Sequence, residues 1–151
     1  MPRLLIVHHT PSPSMHTMLG AVREGAGADG LEEVEVMTAA ALSCTASDVL
    51  AAGGYVLLTP ANLGTMSGAL KHFFDTVYYP CLEETRGRPF GAAVHGNSDV
   101  DGALQDIAKI TTGLGWVQAT EHVRVLDRPG ADDREACWEL GATVAARVLE
   151  G

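Results

Sequence analysis

Residues 55–75 read Tyr55-Val56-Leu57-Leu58-Thr59-Pro60-Ala61-Asn62-Leu63-Gly64-Thr65-Met66-Ser67-Gly68-Ala69-Leu70-Lys71-His72-Phe73-Phe74-Asp75. The segment opens on a short apolar run, Tyr55 to Leu58, that ends at turn-forming residues and so reads as a buried strand. Met66, Leu70, Phe73, Phe74 and Val77 then recur at helical spacing, with Thr65 and Ser67 as capping candidates and Gly68 and Ala69 small enough for close packing. Between the two lies a stretch of small and polar residues. Strand, loop and amphipathic helix in succession are the unit from which parallel sheets are assembled.

The same alternation extends outward in both directions. Further near-continuous apolar runs occur at Leu4 to Val7, Val34 to Met37, Phe90 to Val94 and, less cleanly, Val117 to Leu126, giving five strands. Such runs fit a sheet whose two faces are both covered by helices. A helix is expected over Met15 to Ala26, and a short one around Asp48 to Ala52 behind a cap at Ser47. A fourth begins near Ser98-Asp99, with acids in its first turn, and runs to Gly113. The last starts at Asp132 or Asp133, with Glu135 placed for a capping box and Ala136, Leu140, Val144 and Val148 as its buried stripe. No repeat, charge block or Pro/Ser-rich linker divides the chain, so residues 1–151 read as one α/β domain.

Composition excludes several classes of function. The chain is 46% hydrophobic and 19% charged, enough apolar material to bury a core without disulfides. Ten Lys and Arg against nineteen Asp and Glu leave a formal charge of −9. That balance opposes nucleic-acid binding, which needs cationic phosphate contacts, and adhesion to anionic membranes. Cys44, Cys81 and Cys137 are odd in number, widely spaced and form no CxxC, which fits structural thiols in a reducing cytoplasm. The Leu4–Val7 run is too short for a signal-peptide core. The uncharged stretch between Asp48 and Lys71 has the length of a membrane span, but Gly53-Gly54, Pro60, Asn62 and Gly64 break it.

In an open parallel sheet, ligands sit beyond the carboxyl ends of the strands. The first loop there, Thr10-Pro11-Ser12-Pro13-Ser14-Met15-His16-Thr17, places hydroxyls just before a helix N-terminus, where free N–H groups and the helix dipole favour a phosphate without Lys or Arg. Read alone, one serine caps the helix and the prolines shape the turn. The loop Thr59 to Gly68 offers main-chain donors and acceptors for a flat heteroaromatic ligand, with the Asn62 amide beside them and Gly64 allowing close approach. Its composition fits a plain strand-to-helix connection equally well. The third loop, His95-Gly96-Asn97-Ser98-Asp99-Val100-Asp101-Gly102, supplies further donors; Asp99 and Asp101 read as helix-start acids, and His95 as either a donor or a packed strand end.

Other patterns carry little. Gly25-Ala26-Gly27-Ala28-Asp29-Gly30 spells GxGxxG, but after a helix and before a strand, the reverse of a dinucleotide-binding turn. His8, His9 and His16 match no metal-site spacing and lack a carboxylate cluster, so no metal is expected. Walker A, HExxH and GxSxG are absent.

Residues 55–75 closely resemble flavodoxin-fold FMN proteins, in particular the NAD(P)H-dependent FMN reductases and NAD(P)H:quinone oxidoreductases. The second flavin loop of that family has the same Pro-x-x-x-Gly-x-x-Ser-Gly pattern, here Pro60, Gly64, Ser67 and Gly68, followed by a Lys and a Phe-x-Asp-like ending. The resemblance implies a flavodoxin-like three-layer sandwich with a five-stranded parallel sheet of order 2-1-3-4-5. It also implies bound FMN as the redox group, NAD(P)H as electron donor and a quinone, flavin or similar small acceptor, with no side chain acting as acid or base. By position, Thr10, Ser12, Ser14, Met15 and Thr17 would surround the FMN phosphate. Pro60, Ala61, Asn62, Leu63, Gly64 and Thr65 would line the ribityl chain and ring, and His95, Gly96 and Asn97 would complete the ring site. Pro13 stands where many flavodoxins place Gly, which removes one phosphate donor.

Two other readings accompany this one. A flavodoxin-type electron carrier would use the acidic surface to steer a basic redox partner; against it, residues 61–66 and 95–100 hold no Trp or Tyr to sandwich a flavin. A domain that has lost FMN would serve assembly alone. Tyr78 and Tyr79 either stack on a flavin or plug an interface, and the related reductases are commonly dimers or tetramers with active sites near subunit contacts.

Overall fold

The computed structural model describes residues 1–151. Side chains alternate across each central strand and sort into two separate cores. Leu5, Val7, Tyr55, Leu57, Phe90, Ala92 and Val94 belong to one, while Leu4, Ile6, Val56, Leu58 and Ala93 belong to the other. Because successive residues of a strand point to opposite faces, an unbroken apolar run demands a cover on each side. Each fully buried Leu, Ile or Val contributes on the order of 1.5–3 kcal/mol.

The strands are β1 (Arg3–His8), β2 (Glu35–Ala40), β3 (Gly54–Asn62), β4 (Thr65–Met66), β5 (Pro89–Gly96), β6 (Val117–Gln118) and β7 (Val123–Leu126). The helices are α1 (Pro13–Ala26), α2 (Ala46–Ala51), α3 (Gly68–Cys81), α4 (Asp101–Leu114) and α5 (Ala131–Glu150). The core of the first set packs with α2, α3 and α4, that of the second with α1 and α5, which makes three layers. The sheet order is β2-β1-β3-β5-β6, all parallel, with β7 also paired to β5. The expected order 2-1-3-4-5 is therefore present, but the fifth strand is two short pieces on one neighbour rather than a run from Val117 to Leu126. At the opposite edge, β2 has a single neighbour and stays largely exposed, with Met37 at the surface.

Local hydrogen bonds shift several expected helix starts. Thr45, not Ser47, caps α2: its hydroxyl accepts from the Asp48 N–H at 3.2 Å, and the Asp48 carboxylate accepts from the Thr45 N–H at 2.9 Å. Ser67 caps α3, leaving Thr65 in β4. Helix α4 starts at Asp101, whose N–H donates to the Asp99 carboxylate at 2.8 Å. At the start of α5 the Gly130 N–H donates to Asp133, so Glu135 plays no capping role, and Cys137 takes the buried place expected for Ala136.

Two devices tighten the layers. Helices α1 and α5 touch backbone to backbone, because a Cβ at Gly25 would stand 1.8 Å from the Trp138 carbonyl oxygen and one at Gly141 would stand 2.1 Å from that of Val22. The first glycine of the GxGxxG-like run is thus a helix-packing residue. On the other face the Arg88 guanidinium donates to the carbonyls of Ala52 (2.7 Å), Leu50 (3.0 Å) and Val49 (3.3 Å), the orphan acceptors at the end of α2. The Tyr55 hydroxyl donates to the Val49 carbonyl at 2.6 Å, and its ring stacks on Trp116 at 4.1 Å. Burial pushes the Tyr55 hydroxyl up to about 12, and likewise the Cys44 and Cys137 thiols.

Two outcomes follow. In urea denaturation, Gly25→Ala is expected to cost about 2 kcal/mol through overpacking. Gly20→Ala in the same helix, where a Cβ meets nothing within 4 Å, is expected to raise stability by about 0.5–1 kcal/mol. The second outcome concerns His8, which is held below its ordinary 6.5 by burial and then by His16, His9 and Arg23. A folded group with a lowered histidine value resists protonation, so stability is present above about 6.5 and falls as pH drops below it. His8→Asn should flatten that acid-side slope in pH-dependent melting.

Candidate functional site

Strand register brings three loops to one edge of the sheet. His8 pairs with Leu58, and Pro60 pairs with His95, so β1, β3 and β5 end side by side. The last rung is closed by the His9 N–H donating to the Leu58 carbonyl at 3.0 Å.

The first loop carries a row of free backbone donors. The N–H groups of Thr10, Ser12 and Ser14 have no acceptor within the protein, and Pro11 and Pro13 between them have no N–H to offer. The Ser12 hydroxyl oxygen accepts from the Met15 N–H at 3.3 Å and so caps α1. The Thr10 hydroxyl lies 3.1 Å from His8 Nδ1, and that of Ser14 has no partner. No Lys or Arg occurs from His8 to Val22, so the donors are neutral amides and alcohols reinforced by the positive end of a 14-residue helix. Met15 and Thr17 stand apart from this group. The Met15 side chain is fully buried among Leu4, Ile6 and Met18, and its N–H is occupied. The Thr17 hydroxyl donates back to the Pro13 carbonyl at 3.1 Å, and the residue lines a groove of about 540 Å³ between α1 and α5.

The second loop is a hairpin rather than a loose connection. Strand β3 continues to Asn62, Leu63 and Gly64 turn, and β4 returns with Asn62 opposite Thr65 and Ala61 opposite Met66. Both turn residues have positive φ, 52° at Leu63 and 80° at Gly64, as the twist of a two-residue hairpin requires. Gly64 adopts this without strain and Leu63 does not. Leu63 is also fully exposed. At the hairpin base the buried Thr59 and Ser67 hydroxyls are 2.9 Å apart, and the Ser67 N–H donates to Thr59 Oγ1 at 3.1 Å. Pro60 does not line an open face: it is buried inside the sheet. Ala61 is half-buried, whereas Asn62, Leu63, Gly64 and Thr65 are exposed, and the Asn62 amide has no protein partner.

His95 and Gly96 are the last residues of β5, and Asn97 opens the third loop. The His95 Nε2 lies 2.7 Å from the Asp127 carbonyl oxygen, which only accepts, so Nε2 carries the proton. Asp127, in turn, donates its N–H to the Gly96 carbonyl at 2.9 Å and sits at φ 58°. A Cβ at Gly96 would press on Val100 at 2.9 Å and meet Ala61 at 3.6 Å, so this glycine brings the third loop against the hairpin. Sequence reading missed Asp127; the Asp127-Arg128-Pro129-Gly130 turn signal marks a fourth loop at the same edge.

At this edge the one hydroxyl in contact with an imidazole is that of Thr10 on His8, all three cysteines are buried, and no group of His, Cys, Asp or Glu is placed to hold a metal. What it presents is neutral donors on one side and exposed main chain on the other, a setting for an anionic tail and a flat body. Tyr78 packs toward α4, where a Cβ at Gly113 would stand 2.4 Å from its hydroxyl, while its edge-on neighbour Tyr79 is exposed. No helix is long and apolar enough to cross a membrane.

Comparison with known proteins identifies the fold and the family. The chain is 35% identical to a protein named flavodoxin from Aquifex aeolicus (strain VF5), over 98% of this chain and 88% of that protein. Among solved structures, a flavodoxin from the domain Archaea superposes with a TM-score of 0.84 at 18% identity, covering 97% of this chain and 99% of the other. A flavodoxin, WrbA-like protein from Agrobacterium tumefaciens gives 0.79 at 19% identity, covering 99% of each. These structural likenesses establish the flavodoxin-like fold. The sequence profile of NADPH-dependent FMN reductase matches residues 32–128, a span that contains the hairpin and the third loop. With more than half of its length matched by that profile, the chain belongs to the NADPH-dependent FMN reductase family.

Proposed function

We propose that the chain binds FMN across the loops after β1, β3 and β5 and uses it to pass electrons from NAD(P)H to a quinone, a free flavin or a similar small acceptor. The observation that carries this reading is the row of unpartnered N–H groups at Thr10, Ser12 and Ser14, set at a helix N-terminus without a cation. This row lies outside residues 32–128, so it supports the reading independently of the family match. The donor set fits a phosphate dianion: three amides and the Ser12 and Ser14 hydroxyls, with Pro13 accounting for one donor fewer.

When bound, FMN supplies acceptance of a hydride and its onward delivery as electrons. The protein's part is to bind, orient and leave access. The first loop would hold the phosphate, and the Asn62 amide and the exposed main chain of Leu63 to Thr65 would hold one edge of the ring. Gly96 and Asn97 would close the other side, with His95 fixed by Asp127. Residues 61–66 and 95–100 contain no Phe, Trp or Tyr to stack on a flavin face, which would leave room for a nicotinamide to stack there. No side chain is required to take or give a proton.

A second reading has its own support. The relative at 35% identity is named flavodoxin, and a charge of −9 suits docking of a basic electron-transfer partner. Anaerobic mixing with NADPH or NADH separates the two: bleaching of bound flavin at about 1 s⁻¹ or faster indicates the reductase, and an unbleached flavin indicates the carrier.

FMN titration monitored by flavin fluorescence is expected to show saturable binding at micromolar protein or below, and unaltered fluorescence would dispose of both flavin readings. Ser14 has no partner of its own, so Ser14→Ala should weaken binding about fivefold to tenfold. Ser14→Glu, which sets a carboxylate against the phosphate, should weaken it about a hundredfold or more. Full affinity in the Ser14→Glu variant would move the phosphate site elsewhere.

A further inference from the structure

We propose that Asp106 is the positioning residue of the ring-binding hairpin, a role that rests on the FMN reading above. The hairpin projects past the sheet, and β4 has a backbone partner on one side only, β3. Its other side is held by a side chain from 40 residues away: the Met66 N–H donates to Asp106 Oδ2 at 3.1 Å. Asp106 lies in α4, one turn beyond Gly102. There the helix meets the hairpin tip directly, since a Cβ at Gly102 would stand 1.9 Å from the Gly64 carbonyl oxygen.

Helix α4 is also the continuation of the third loop, and its first residue is tied to β7 by Arg124 Nε donating to Asp101 Oδ1 at 2.9 Å. One rigid helix therefore sets the hairpin and the third loop relative to each other through a carboxylate and a missing methyl. A turn with Leu63 at positive φ and fully exposed has little packing of its own to define where it points. Asp106 supplies that definition. Its carboxylate opens onto a groove of about 510 Å³ whose walls also hold Lys71 and Lys109, the only two lysines of the chain.

The test uses the full chain with Asp106→Ala and Asp106→Asn. Asparagine keeps an acceptor oxygen for Met66 and removes the charge, so it separates positioning from charge balance with the lysines. Amide hydrogen exchange on the FMN-free protein should show Met66 losing protection in the alanine variant and keeping it in the asparagine variant. The alanine variant should bind FMN about tenfold more weakly and alter the visible circular dichroism of the bound flavin. The asparagine variant should stay within about twofold of wild type on the same grounds of a retained acceptor. Wild-type affinity and dichroism in the alanine variant overturn the role, as does an asparagine variant that fails as badly as alanine. A wild-type chain that takes up no FMN overturns the cofactor reading and this role with it, whereas wild-type binding alongside an unaffected alanine variant overturns the role alone.

Discussion

A parallel sheet covered on both faces leaves its main chain free at its edges and ends only. In this chain Leu4 to Val7, Tyr55 to Leu58 and Ala92 to Val94 are buried throughout, and their N–H and C=O groups are consumed by neighbouring strands. Unpaired backbone donors survive where strands end and helices begin. The carboxyl edge gathers the free Thr10–Ser14 donors, the hairpin and the His95–Asp127 lock. A saturated interior leaves a ligand only the ends and edges of such a sheet to meet, and the proposed site lies at its carboxyl end.

That constraint explains an electrostatic oddity. A chain of charge −9 is a poor candidate to hold a phosphorylated cofactor by Coulomb attraction, and the first loop contains no cation. On the FMN reading proposed above, amide dipoles and hydroxyls would answer the difficulty, because their positive ends are fixed in direction and need no counter-charge nearby. Recognition of this kind depends on geometry more than on net charge, so the surface is free to be acidic.

Much of this was legible in the residues, and the failures have physical causes. Two-sided burial makes strands readable as apolar runs, so β1, β3 and β5 are plain, while β2, with one neighbour and an exposed face, reads from its apolar residues as Val34–Met37 and lies at Glu35–Ala40 in the structure. Thr45 and Ser47 are equally good capping residues on paper, and only the reciprocal bond with Asp48 chooses between them. The hairpin was hidden because a two-residue turn at positive φ is announced by Gly or Asn at its first position, and this one has Leu63 there. The resemblance by position brings Met15 to the phosphate, but helical geometry turns the third residue of α1 toward the sheet. Contacts between distant segments, such as Asp106 with Met66 and His95 with Asp127, leave no periodic trace at all.

The two tryptophans lie on opposite sides of the sheet. Trp116 is enclosed by Tyr55, Phe74 and Phe90, with its indole N–H donating to Thr85 at 2.8 Å, whereas Trp138 on α5 keeps 36% of its surface in solvent. Their emission is therefore expected to divide into a blue component that dissolved quenchers do not reach and a redder one that they do. Each layer of the sandwich carries its own optical reporter, and loosening of one layer before the other would be visible as a change in a single component of the spectrum.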